Sequence, residues 1–122
     1  MPFPIVWGIP KDTQDEVLYQ LRRDIVNTLH EVMQVPPDWV HVFFPKDMLH
    51  DPNPDGTEGG NTIYINLDTG MFHGKPIVDV LAQRVTLALA HVVWNAFGGL
   101  CEVECMVGDC NPAWTSLIKA KI

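Results

Sequence analysis

Met1-Pro2-Phe3-Pro4-Ile5-Val6-Trp7 opens the chain, and the rest is read outward from it. A proline follows the first methionine and runs straight into apolar and aromatic residues. Phe3 to Trp7 reads as a buried strand, broken by Gly8 and Pro10. Pro4 has no N–H, so it limits hydrogen bonding on one side and points to an edge or to the strand's first turn. With Met1 removed, the Pro2 nitrogen is a cyclic secondary amine whose position is set by the fold. Such a group takes or gives a proton, or attacks a carbonyl. The competing reading is that Pro2 merely starts a strand, where proline is tolerated.

A helix follows. Thr13-Gln14-Asp15-Glu16 reads as a capping box, with two acids at the positive end of the helix dipole. Leu18, Leu21, Ile25, Leu29 and Met33 recur at helical spacing, and Pro36-Pro37 is its stop. Trp39 to Phe44 reads as a second strand ended by Pro45. Residues 45–60 carry prolines, glycines and acids and read as a loop of a length that is usually functional or mobile.

The pattern then repeats. Thr62 to Leu67 is a third strand, and a second helix has Pro76 in its first turn and Gly98-Gly99 as its stop. That helix is apolar almost all round, so it should be covered on more than one side. Leu100 to Val107 alternates Cys101, Val103, Cys105 and Val107 against Glu102, Glu104 and Met106, giving a fourth strand. Strand starts lie 36 residues apart in the first unit and 39 in the second. The expected architecture is therefore α/β of the α+β kind. Two β-α-β units, about 2–44 and 62–107, form a four-stranded sheet with two helices on one face in a single domain over 1–122. Each unit joins parallel strands by a crossover. Periodicity stalls here, because a ferredoxin-like fold has the same element order.

Composition narrows the function classes. The formal charge is −7, with eight Lys and Arg and no basic cluster, the opposite of what nucleic acid or an anionic membrane surface attracts. The longest apolar run, Leu87 to Phe97, is too short to span a bilayer. Three cysteines without a framework spacing argue for reduced thiols and a cytoplasmic protein. No spacing supports a metal site, and no glycine loop supports a phosphate site. A cofactor is not expected.

Pro2 opening a strand, Val35-Pro36-Pro37 and Val40-His41-Val42-Phe43-Phe44 resemble the first unit of the tautomerase superfamily. Gly59-Gly60-Asn61-Thr62-Ile63-Tyr64 and Leu81-Ala82-Gln83-Arg84-Val85 resemble the second unit of its longer members. Among these the chain is most similar to the cis-3-chloroacrylate dehalogenase group, with malonate semialdehyde decarboxylase as a neighbour. The resemblance implies a homotrimer with the amino-terminal proline in each active site, acting as general base on a small enol or keto acid. In the dehalogenase and decarboxylase branches that proline is protonated and acts as an acid.

Carried over by the resemblance, Pro2 matches the catalytic amine and His30 a helix histidine of the dehalogenase group, so the two are the catalytic candidates. Lys11 lies near an arginine that binds substrate carboxylate, His41 stands where tautomerases often have another, and Trp114 stands for an aromatic at the pocket mouth. Where the dehalogenases carry two arginines after the third strand, Asp68 to Lys75 offers only His73 and Lys75. The water-activating glutamate of that group falls near Thr115.

Each residue also has a plainer reading. His30 is a half-buried structural histidine, His41 a solvated strand residue, Lys11 and Lys75 surface charges, and His91 a packed core residue. Cys101 and Cys105 are small hydrophobes. Three further functions stay open: a non-catalytic trimeric scaffold or binding module of this fold, a decarboxylase or hydratase of a small three-carbon acid, and an unrelated ferredoxin-like module.

Overall fold

The computed structural model describes residues 2–10, 12–45, 62–74, 79–114, 116 and 118–121. Strand β1 (Phe3–Trp7) leads into helix α1 (Asp15–Met33), followed by a 3-10 turn at Pro37–Trp39. Strand β2 (Thr62–Thr69), helix α2 (Asp79–Ala96), strand β3 (Glu102–Asp109) and a 3-10 turn at Pro112–Trp114 complete the order. Lys11, Lys75, Pro76 and residues 46–61, where a loop is expected, lie outside the described residues.

β2 is the centre of a three-stranded sheet ordered β1-β2-β3. β1 pairs with it antiparallel, Phe3 opposite Asp68 through Trp7 opposite Tyr64. β3 pairs with it parallel over eight residues, Thr62 opposite Glu102 through Thr69 opposite Asp109. Because β2 and β3 are direct neighbours, the second unit is not the split βαβ of the ferredoxin-like alternative, which leaves a strand between them.

The expected strand at Trp39–Phe44 is corrected. Trp39 closes the 3-10 turn, and among the described residues the segment after it makes one parallel bridge, Ile5 with Phe43. Its bonds explain why. The Phe43 N–H donates to Pro4 O, and the Val6 N–H donates to Phe43 O, both at 3.0 Å. One step back, the His41 N–H reaches Pro2 O at 3.5 Å, but the reciprocal bond needs an N–H at Pro4, which proline lacks. One step forward, Pro45 has no N–H to give. Two prolines thus trim the pairing to one bridge.

Alternation sorts the sheet into two faces. Val6, Ile63, Ile65 and Leu67 are fully buried on one face against Leu21, Ile25 and Leu29 of α1 and Val85, Leu89 and Val93 of α2. The other face carries Phe3, Ile5 and Trp7 of β1, Tyr64 and Asp68 of β2, and Met106 of β3. Trp7, Tyr64 and Met106 are each over 40% exposed there, Trp7 at 45%, Tyr64 at 42% and Met106 at 44%.

The helices end differently. α1 starts on Gln14 with no side-chain cap hydrogen bond, so the expected capping box does not form. It stops before the prolines, on Gln34 in the left-handed region at φ 58°, whose N–H donates to His30 O. α2 stops on Gly98-Gly99, as expected. Gly99 has φ 73°, its N–H donates to Trp94 O at 2.9 Å, and a Cβ there would lie 2.7 Å from the Trp94 ring. The outer side of α2 stays open, with Val80, Leu87 and Trp94 exposed.

Candidate active site

The sheet brings three of the seven candidates, Pro2, His41 and His73, to one end. Carried one residue beyond Phe3–Asp68, the register sets Pro2 opposite Thr69, and Thr69 pairs in turn with Asp109. Thr69 and Asp109 are thus paired across β2 and β3, and Pro2, just before β1, lies in line with them on the phase that points toward the helices. Pro2 and Thr69 are buried, and Asp109 is exposed.

Thr69 fixes this end of the sheet. Its side chain is fully buried, and its hydroxyl accepts the Met71 N–H at 3.1 Å. Its carbonyl accepts the Cys110 N–H at 3.0 Å, and Gly70 O accepts the His73 N–H at 3.2 Å. Thr69, from which the turn at 70–74 starts, is thereby tied to the residue after β3. His73 Nδ1 meets Asp109 Oδ2 at 3.2 Å. A carboxylate only accepts, so Nδ1 carries the proton and Nε2 is left as the reactive nitrogen.

A second row lies one residue away, on the helix-free face. The His41 ring stacks on Phe3 with centroids 6.0 Å apart, and Phe3 is opposite Asp68. The Asp68 carboxylate folds over Gly108 on β3, into space that any Cβ at 108 would occupy. His41 is thus attached to the start of β1 both by its ring and by its backbone bond to Pro2 O.

His30 sits in the last turn of α1, exposed rather than half-buried, with Nδ1 2.9 Å from Val35 O. A carbonyl only accepts, so this Nδ1–H donates, bridging the helix end to the residue before Pro36. Trp114 is 85% exposed. His91 is corrected from a core residue to an exposed one. It lines a cavity of about 210 Å³ with Leu87, Ala90, Trp94 and Val103, on the outer side of α2. Two other cavities, of about 180 and 320 Å³, border α1 and are likewise lined by neither Pro2 nor His73.

The cysteines are free thiols. Burial pushes Cys105 up to about 12 and raises Cys101 as well, which fits small hydrophobes on the helix-covered face. Among the described residues no three His, Cys, Asp or Glu side chains converge to hold a metal ion. No helix among them is long and apolar enough to cross a membrane. The reading of the sequence missed Asp109 and Asp68, because nothing in the order of residues shows which ends of β2 and β3 meet the turn at 70–74.

No family model matches the sequence, and no curated protein does either. Solved structures do. A fused 4-OT, a wild-type asymmetric trimer, matches with a TM-score of 0.72 at 14% identity, over 88% of this chain and 85% of that one. The chain has the tautomerase-superfamily fold. FG41 malonate semialdehyde decarboxylase, inhibited by 3-bromopropiolate, matches at 0.63 and 15% identity over 98% and 91% of the two chains. Macrophage migration inhibitory factor of Toxoplasma gondii matches at 0.68 and 10% identity over 95% and 94%. Tautomerase-fold chains of this length differ in sequence far more than in backbone, since a core of alternating apolar residues tolerates many substitutions of like volume.

Proposed function

We propose that the protein is a tautomerase-like enzyme in which the Pro2 nitrogen, freed of Met1, is the general base on a small enol or keto acid. The observation that carries this reading is the burial of Pro2 at the head of β1, held by the pairing of Phe3 with Asp68 and by the bond from His41. An α-amino group titrates near pH ~8, and burial disfavours its charged form, leaving a base of use at neutral pH. His41, bonded to Pro2 O, steers the substrate, and His73, at the same end of the sheet, is the second candidate to meet it. His30, Lys11, Lys75 and Trp114 are the remaining candidates from the family pattern.

The active form we infer is a homotrimer. The helix-free sheet face presents Phe3, Ile5, Trp7, Phe43, Tyr64 and Met106 beside the polar Asn66, Asp68, Glu102 and Glu104, and packing against copies of itself would cover its apolar part. A stable monomer at micromolar concentration in light scattering argues against it.

Substrate preference follows from charge. Neither His41 nor Lys75 offers the bidentate fork that holds a carboxylate, so monoanionic enols such as phenylenolpyruvate are expected to outrank dicarboxylates such as hydroxymuconate. The deciding experiment compares processed protein, a form that keeps Met1, and Pro2→Ala on phenylenolpyruvate. The latter two should lose about 10²-fold in kcat/KM with the fold intact. Equal rates in all three would leave Pro2 as a strand starter and favour a scaffold of the same fold.

A further inference from the structure

The family pattern assigns no role to Asp109, and it leaves His73 as one weak cation among missing arginines. We propose that His73 and Asp109 form a second proton-transfer group of this site, with Asp109 as the positioning residue and the His73 Nε2 as the atom that exchanges a proton with substrate carbon. The proposal rests on Pro2 being the base.

The geometry is specific. Asp109 lies two strand spacings from Pro2, about 10 Å, on the same phase of the sheet. The turn that carries His73 springs from Thr69, the residue between them, and His73 reaches to Asp109. The imidazole is therefore anchored on the far side of Thr69 from the amine, with the threonine hydroxyl already engaged by Met71 N–H. Two hydrogen bonds, to Thr69 Oγ1 and Gly70 O, close the turn on itself, and a third, from the Cys110 N–H to Thr69 O, joins its start to the residue after β3, so the backbone that carries the ring is held as well as the ring itself. His73 and Asp109 side chains are 42% and 61% exposed, which leaves a route for the proton to return to water.

The step balances without any other reactant. In ketonisation the Pro2 amine takes the hydroxyl proton of the enol, and the O–H electron pair becomes the second C=O bond. The C=C pair then forms a C–H bond with the proton on Nε2 of the His73 imidazolium, which is left neutral while Asp109 still accepts from Nδ1–H. The ammonium and the imidazole reset by exchange with solvent, and enolisation runs the same steps in reverse.

The test uses full-length processed protein with phenylenolpyruvate. His73→Gln should lower kcat by about 10²-fold with KM little changed. Asp109→Asn should lower kcat less, and the double variant should be no worse than His73→Gln, since the two act as one unit. Added imidazole should restore part of the rate of His73→Ala. A raised KM with kcat intact would make His73 a substrate holder, and unchanged kinetics would make the pair a surface ion pair; either overturns the proposal. Pro2→Ala separates the two readings: if it alone abolishes turnover the amine stands and the dyad falls, and if only the His73 variants do, the amine falls. Independent of turnover, nitrogen NMR should show neutral His73 protonated at Nδ1 in the wild type and not in Asp109→Asn. An Nε2–H tautomer in the wild type sinks the idea.

Discussion

The two β-α-β units share a plan and differ in how firmly they close. In the second, β2 and β3 pair in parallel over eight residues, and all the backbone donors that the ladder needs are present. In the first, β1 and the segment after the 3-10 turn share one bridge, because Pro4 and Pro45 withhold the donors on either side of it. The helices reverse the contrast. α1 is amphipathic and buries Leu21, Ile25, Leu29 and Met33 along one stripe, while α2 leaves Val80, Leu87 and Trp94 exposed. The first unit is thus finished by its helix and the second by its strands. The candidate site lies where the loosely paired strand meets the firmly paired one.

The largest effect is expected at the central strand that both units share. Ile65 is fully buried between both pairings, so Ile65→Ala should cost about 2–5 kcal/mol in chemical denaturation. A loss well under that range would mean that β2 is not the common spine. Next come the helix ends. Gly99→Ala must hold a side chain at positive φ against the Trp94 ring and should cost about 1–2 kcal/mol, read as a lowered denaturation midpoint. No change there would show that Trp94 swings away freely.

If the prolines limit the first unit, removing one should add pairing. Pro4→Val supplies the missing N–H to His41 O, so the bridge should extend by one residue and the new amide at position 4 should become protected from exchange with water. The stability gain expected is about 1 kcal/mol for the added bond. If that amide exchanges at the solvent rate, the prolines are not what limits the first unit. The smallest effect is at the stop of α1, where Gln34 occupies the left-handed conformation. Gln34→Gly should stabilise the fold by about 0.5–1 kcal/mol, read as a raised midpoint, because glycine adopts that conformation without the Cβ clash. Destabilisation instead would assign the Gln34 side chain a contact of its own.

A pH dependence follows from the second unit. The folded state holds the Cys105 proton more tightly than the unfolded chain, whose thiol titrates near 9.0. The unfolded state therefore binds fewer protons above pH 9, and stability falls as pH rises from there toward about 12. Maleimide at pH 8 should accordingly label Cys105 slowest of the three thiols, and rapid labelling in the native protein would contradict its burial.

Residue order alone carries the two helices, the apolar stripes and the strand–helix–strand repeat. These follow from periodicities of 3.6 and 2 and from the punctuation by Pro and Gly, which act locally. The effect of Pro4 was legible too, as a side of the strand that cannot donate. Which side, and that Pro45 would meet it across the same pairing, depended on tertiary structure, because a missing N–H matters only once a neighbour's carbonyl faces it. The same holds for Thr13, whose capping signature was outweighed by the chain's entry into α1 through Gln14. His91 reads as core from its apolar neighbours, and the rotation of α2 on the sheet turned it outward. Pro2 stood out as a chemical singularity in one dimension. That His73 and Asp109, 36 residues apart, meet at the same end of the sheet as Pro2 comes from the parallel register of β2 and β3, which sets the ends of two distant segments side by side.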